Sequence, residues 1–215
     1  MTQVKFCGIT RPEDAELAAD LGAWAVGLIL WPGSPRACDL GVAAGISRSL
    51  RRRVEIAGVF VNATLEHVAA TADGVGLSLI QLHGDEGPDY CREVQRRTGC
   101  RVIKATRVGG RAELQALRAW HPDLHLLDTR VEGERGGTGR TWDWTLATEA
   151  TNGEIPVLLS GGLTPENVGQ AIAAARPWGV DVASGVETEP GIKDPTRMEA
   201  FAVAAAGAPA PVAPA

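Results

Sequence analysis

The sequence predicts an α/β protein, a single-domain (β/α)8 TIM barrel, from three observations. Short apolar runs alternate strictly with helical patterns along the whole chain, about eight such units follow one another, and chemically useful side chains sit where the apolar runs end. Strict alternation implies a parallel sheet, and eight units fit a closed barrel. An open doubly wound sheet is the rival architecture. It would place a GxGxxG pattern after the first strand, and none is there.

The predicted strands are residues 4–7, 25–30, 55–61, 77–82, 101–105, 124–128, 156–160 and 179–183. Most are short, β-branched or leucine-rich, and bounded by Gly, Asn or Asp, such as Gly8, Asn62 and Asp128. The predicted helices are 12–21, 42–50, 64–71, 88–98, 111–120, 144–150, 164–175 and 195–206. Two of them carry clear start signals. Thr10-Arg11-Pro12-Glu13-Asp14 and Thr164-Pro165-Glu166 put a threonine before a proline and then acids, and Gly22 closes the first helix. Residues 1–206 form the expected barrel domain. Residues 207–215, rich in Pro and Ala, read as a disordered tail.

Composition narrows the partners. With 215 residues, 45% hydrophobic, 22% charged and a net charge of -5, the chain is long enough for one full core and too acidic to favour nucleic acid or anionic membranes. Arg51-Arg52-Arg53 reads as a solvated helix end. The amino end lacks the layout of a signal peptide, and no apolar run approaches the roughly 20 residues of a membrane span. Cys7, Cys38, Cys91 and Cys100 show neither a CxxC pair nor metal-ligand spacing, so no metal site is expected. Reduced thiols and a cytoplasmic location follow as the expectation.

Strand alternation sorts inward from outward positions. It places Lys5 and Cys7 inward on strand one, Gln81 and His83 on strand four, Lys104 on strand five, Asp128 on strand six and Asp181 on strand eight. Polar groups turned inward mark a cavity at the mouth. Cys7 ends its strand two residues after a lysine and before a glycine, and a nearby ammonium would favour the thiolate, a base or nucleophile. The plain alternative is a buried, packed cysteine. Asp128 ends an apolar run and precedes a glycine-rich loop at 133–139, where desolvation would suit it to act as an acid. A carboxylate that merely caps the loop is the alternative. His83 reads equally as an acid–base group and as a hydrogen-bonded structural residue. Gly161 and Gly162 after strand seven, with Ser184 and Gly185 after strand eight, offer paired loops whose N–H groups can face a phosphate.

These residues resemble the phosphoribosylanthranilate isomerase family of tryptophan biosynthesis. The resemblance rests on residues 5–10 (KFCGIT), Ser34-Pro35-Arg36, 58–62 (GVFVN), 81–86 (QLHGDE), 136–139 (GGTG) with Trp142-Asp143-Trp144, 160–168 (SGGLTPENV), and 179–187 (GVDVASGVE) followed by Pro190-Gly191-Ile192-Lys193-Asp194. It implies an Amadori rearrangement of a phosphoribosylated anthranilate without cofactor. Asp128 would be the general acid, Cys7 the general base, and Arg36 the partner of the anthranilate carboxylate. His83, Gly161, Gly162, Asp181, Ser184 and Gly185 would complete the substrate site. Phe6, Trp31-Pro32-Gly33, Trp142 and Ala183 depart from the family's usual pattern, and Ala183 leaves phosphate to backbone N–H groups and Ser184.

Two other functions are weighed against this one. A lyase or synthase of the same barrel type should show a lysine or glutamate pair at strand ends, and Lys104 has no glutamate partner on the predicted strands. An inactive barrel kept as a binding subunit should have lost Cys7 or Asp128, and both are present. The small-molecule substrate carries one phosphate for one phosphate site, so the related two-phosphate substrate of histidine biosynthesis is not expected. Monomer and homodimer remain equally open.

Overall fold

The computed structural model describes residues 1–108, 110–117, 120–128, 144–151, 153 and 155–208. The order is β1 (Gln3–Cys7), α1 (Pro12–Asp20), β2 (Ala25–Ile29), α2 (Leu40–Leu50), β3 (Glu55–Phe60), α3 (Leu65–Val75), β4 (Leu79–Leu82), α4 (Pro88–Thr98), β5 (Arg101–Arg107), α5 (Arg111–Ala116) and β6 (Leu124–Asp128). A 3₁₀ turn (Trp144–Ala147) then leads into α6 (Thr148–Thr151), β7 (Val157–Ser160), α7 (Val168–Ala175) and β8 (Gly179–Val182). A second 3₁₀ turn (Ser184–Val186), β9 (Glu187–Glu189), β10 (Ile192–Lys193) and α8 (Pro195–Ala206) complete the chain. Strands β1 to β8 pair in parallel and close, with β8 returning to β1 through Gln3–Gly179 and Lys5–Asp181. The predicted barrel is what the chain forms.

Element ends differ from expectation for local reasons. α2 starts at Leu40 because the Asp39 carboxylate accepts from Gly41 and Val42 N–H, capping two orphan donors ahead of the predicted start. α3 runs on to Val75, where Gly76 takes the left-handed conformation that ends many helices. α7 begins at Val168, since Asn167 ties the preceding turn by accepting from Thr164 N–H and donating to the Gly162 carbonyl. The β9–β10 hairpin was not predicted. The glycine loop at 133–139, Trp142-Asp143 and residues 209–215 lie outside the described residues.

Two apolar clusters follow from strand alternation. Val26, Leu28, Ile56, Phe60, Ile80, Leu82, Val102, Leu127, Leu159, Val180 and Val182 face the helix layer. Ala25, Ala57, Leu79, Ile103, Ala105, Leu124, Leu126 and Leu158 fill the barrel, with the edge-to-face pair Trp24 and Trp178 packed against them. One predicted orientation is overturned here. Ile103 and Ala105 are the inward residues of β5, so Lys104 shares the outward face with Val102 and lies over the Trp120 ring. Above the apolar interior the inward positions turn polar, at Lys5, Gln81 and Asp181, all buried.

Candidate active site

The strand ends bring every predicted site residue to one cavity of about 180 Å³ at the C-terminal mouth. Cys7 from β1 and Asp128 from β6 both line it, and so do Arg36 and His83. Gly161, Gly162, Ser184 and Gly185 form its wall after β7 and β8, and Asp181 lies beneath them. Gly161 and Gly162 have φ of 97° and 67°, which disfavour any side chain. A Cβ on Gly185 would overlap the Leu163 carbonyl oxygen, so glycine is needed for the two loops to approach.

Cys7 sits over a buried ion pair. Lys5 Nζ donates to Asp181 Oδ1 at 2.7 Å, and Ser160 Oγ reaches Asp181 Oδ2 at 3.3 Å. Burial works to lower the Lys5 pKa, but the Asp181 carboxylate and Cys7 outweigh it and keep the ammonium charged. Lys5 also hydrogen-bonds the thiol and favours its thiolate, as expected from the sequence. Burial nevertheless wins and holds Cys7 above the ordinary thiol range. Gly27 of β2 makes the room. A Cβ there would lie 2.8 Å from Cys7 Sγ and 3.1 Å from Lys5 Nζ.

Opposite, His83 Nε2 lies 3.7 Å from Asp128 Oδ2. Gln81 Nε2 is 3.0 Å from His83 Nδ1, and with the amide as donor the ring proton sits on Nε2, toward Asp128. Arg36 is held from one side. Its Nε reaches both Glu187 oxygens at 2.9 Å and its Nη2 donates to Oε2 at 2.7 Å. Its stem crosses Gly8 (φ 72°), where a Cβ would lie 2.9 Å from Arg36 Cδ. Burial works to raise the Glu187 pKa, but Arg36 and Lys193 outweigh it and keep the carboxylate ionised.

Glu187 and Lys193 are the residues that sequence reasoning missed. Lys193 Nζ donates to Glu187 Oε1 at 2.9 Å, to the Ala183 carbonyl at 3.1 Å and to the Cys7 carbonyl at 2.6 Å. The β9–β10 hairpin thus ties Arg36 to the backbone of Cys7. Thr10 Oγ1 stitches it further to the β1 loop through the Gly191 carbonyl at 2.5 Å. Pro190-Gly191, a turn dipeptide between two short polar runs, was the available signal.

Fold and mouth together define a class, the (β/α)8 barrel enzymes that carry their chemistry at the C-terminal ends of the strands. The family model for N-(5'-phosphoribosyl)anthranilate (PRA) isomerase matches residues 4–204, and the chain belongs to that family. It is 47% identical over 198 residues to the N-(5'-phosphoribosyl)anthranilate isomerase of Citrifermentans bemidjiense, covering 92% of this chain and 94% of that one. It superposes on the phosphoribosyl anthranilate isomerase of Thermotoga maritima with a TM-score of 0.88 at 40% identity, over 96% of this chain and 100% of that one. Another similar structure (TM-score 0.85, 38% identity, the same coverage) is a phosphoribosyl anthranilate isomerase in complex with reduced 1-(o-carboxyphenylamino)-1-deoxyribulose 5-phosphate. Among the described residues, no helix is long and apolar enough to cross a membrane.

Proposed function

We propose that this protein isomerises N-(5'-phosphoribosyl)anthranilate to 1-(2-carboxyphenylamino)-1-deoxyribulose 5-phosphate in tryptophan biosynthesis, with Asp128 as general acid and Cys7 as general base. The observation that carries the reading is the shared cavity. A thiol and a carboxyl from strands β1 and β6 face it together with Arg36 and the glycine loops after β7 and β8.

The chemistry runs on protons the chain itself moves. Phosphate rests on N–H groups at Gly161, Gly162, Ser184 and Gly185, and Ala183 contributes no hydroxyl. Fixing the sugar between acid and base turns binding into rate. The Asp128 carboxyl gives its proton to the ribose ring oxygen as the C1′–O bond breaks, leaving a protonated Schiff base to the anthranilate nitrogen. The Cys7 thiolate removes the proton on C2′, and the electron pair flows to the nitrogen as the enolamine forms. Return of a proton to C1′ and loss of the enol proton give the ketone, so atoms and charges balance without an oxidant. Glu187 takes Arg36 Nε and one Nη2 N–H, which leaves Nη1 and the other Nη2 N–H to meet the anthranilate carboxylate. His83 and Asp181 line the same cavity as substrate contacts, and Asp181 also holds Lys5.

Asp128→Asn tests the acid. Turnover should fall by about 10²–10⁴-fold while affinity for the reduced product analogue stays near normal. A variant that keeps most of its rate would move the acid role to His83.

A further inference from the structure

A second cavity of about 480 Å³ opens at the ends of β3, β4 and β5, and His83 lines both it and the catalytic cavity. On its wall, three donors converge on one carboxylate. The Asn62 N–H donates to Glu86 Oε1 at 2.8 Å, the Gly84 N–H to Oε2 at 2.9 Å, and Lys104 Nζ to Oε2 at 3.0 Å. The backbone is shaped for this. Asn62 takes a left-handed conformation (φ 49°), and a Cβ on Gly84 would overlap the Asn62 side chain. Glu86 and Lys104 are 7% and 3% exposed, so the carboxylate and its ammonium sit out of water. Lys104 is anchored by the Gly84 carbonyl at 2.6 Å and the Trp120 ring.

Two converging backbone N–H groups and a buried ammonium are the donor set of a phosphate site. In an eight-strand barrel, strands three and four stand four places round from strands seven and eight. We infer that the ends of β3 and β4 form an anion-binding nest for a phosphoryl group, kept filled by the chain's own Glu86 carboxylate. Glu86 thereby sets specificity. With this nest closed from within, the mouth accepts substrates anchored by one phosphate and turns away those with a phosphate at each end. That consequence rests on the isomerase reading, whereas the nest itself does not.

The test is Glu86→Ala in the full chain, titrated with inorganic phosphate by calorimetry beside the wild type. The variant should bind one more phosphate per chain than the wild type, and adding Lys104→Met should remove the extra site. Equal stoichiometry in wild type and Glu86→Ala would overturn the nest. Should Glu86→Ala fail to fold in chloride, folding in phosphate at matched ionic strength supports the nest, and failure in both overturns it. Linear bisphosphates of graded length, used as inhibitors of turnover, read the specificity. One length should inhibit Glu86→Ala at least about tenfold more tightly than its monophosphate, with no such gain in the wild type. No gain at any length would remove Glu86 as the specificity determinant. Absence of wild-type turnover would sink the isomerase reading alone, since the phosphate count still decides the nest.

Discussion

At the scale of single residues, the thiol proposed as the base is set by a contest between burial and one ammonium. Burial raises the Cys7 pKa and Lys5 lowers it, so the thiolate grows as pH rises and turnover should climb with it. Lys5→Met removes the opposing charge and leaves Asp181 facing the thiol. The rising limb of kcat/KM should therefore move to higher pH. An unmoved limb would show that Lys5 does not tune the base. The same variant strands a buried carboxylate and should lose about 3–5 kcal/mol in urea unfolding. Gly27→Ala asks a steric question at the same spot. Its Cβ presses on Cys7 Sγ and lies 3.2 Å from the Cys7 Cα, so kcat should fall before KM changes, with about 1–3 kcal/mol of stability lost to overpacking. Wild-type kcat in that variant would mean that the thiol has room to shift without consequence.

At the scale of elements, the β9–β10 hairpin is the part with the most to lose. Glu187→Gln weakens the hold on Arg36 and leaves Lys193 without its carboxylate. KM for the anthranilate substrate should rise about tenfold or more, and less for an analogue lacking the ring carboxylate. An equal rise for both would reduce Glu187 to a structural role. Most strands and the inward set on β1, β4, β6 and β8 were legible from the sequence, because period-two alternation and glycine-bounded ends are local signals. Lys104 was misplaced because the polar residue of β5 was assumed to turn inward, whereas the aliphatic Ile103 and Ala105 fill the interior from that strand. The Glu86 nest and the Glu187–Lys193 link were not legible. Gly84 meets Glu86 through a turn, Asn62 meets it across 24 positions, and Arg36 meets Glu187 across 151 positions.

At the scale of the whole molecule, the buried groups set a pH window for stability. His125 lies on the helix-facing side of β6, beside Leu127. Burial, aided by His121, pushes its pKa down to about 4. Its Nδ1 has no hydrogen-bond partner among the described residues. The unfolded chain therefore binds a proton that the folded chain refuses, and stability falls as pH drops from about 6.5 toward 4. The loss attributable to this one group is about 3 kcal/mol as an order of magnitude. Urea unfolding of His125→Leu beside the wild type should show a flatter pH dependence over that window. Parallel curves would assign the acid sensitivity elsewhere.

The central claim, that one cavity at this mouth isomerises the phosphoribosylated anthranilate through the Cys7 base, is tested most directly by fluorescence. N-(5'-phosphoribosyl)anthranilate generated in situ should lose its fluorescence rapidly with the wild-type protein and at the uncatalysed rate with folded Cys7→Ala. No acceleration by folded wild-type protein, or equal acceleration by Cys7→Ala, would contradict it.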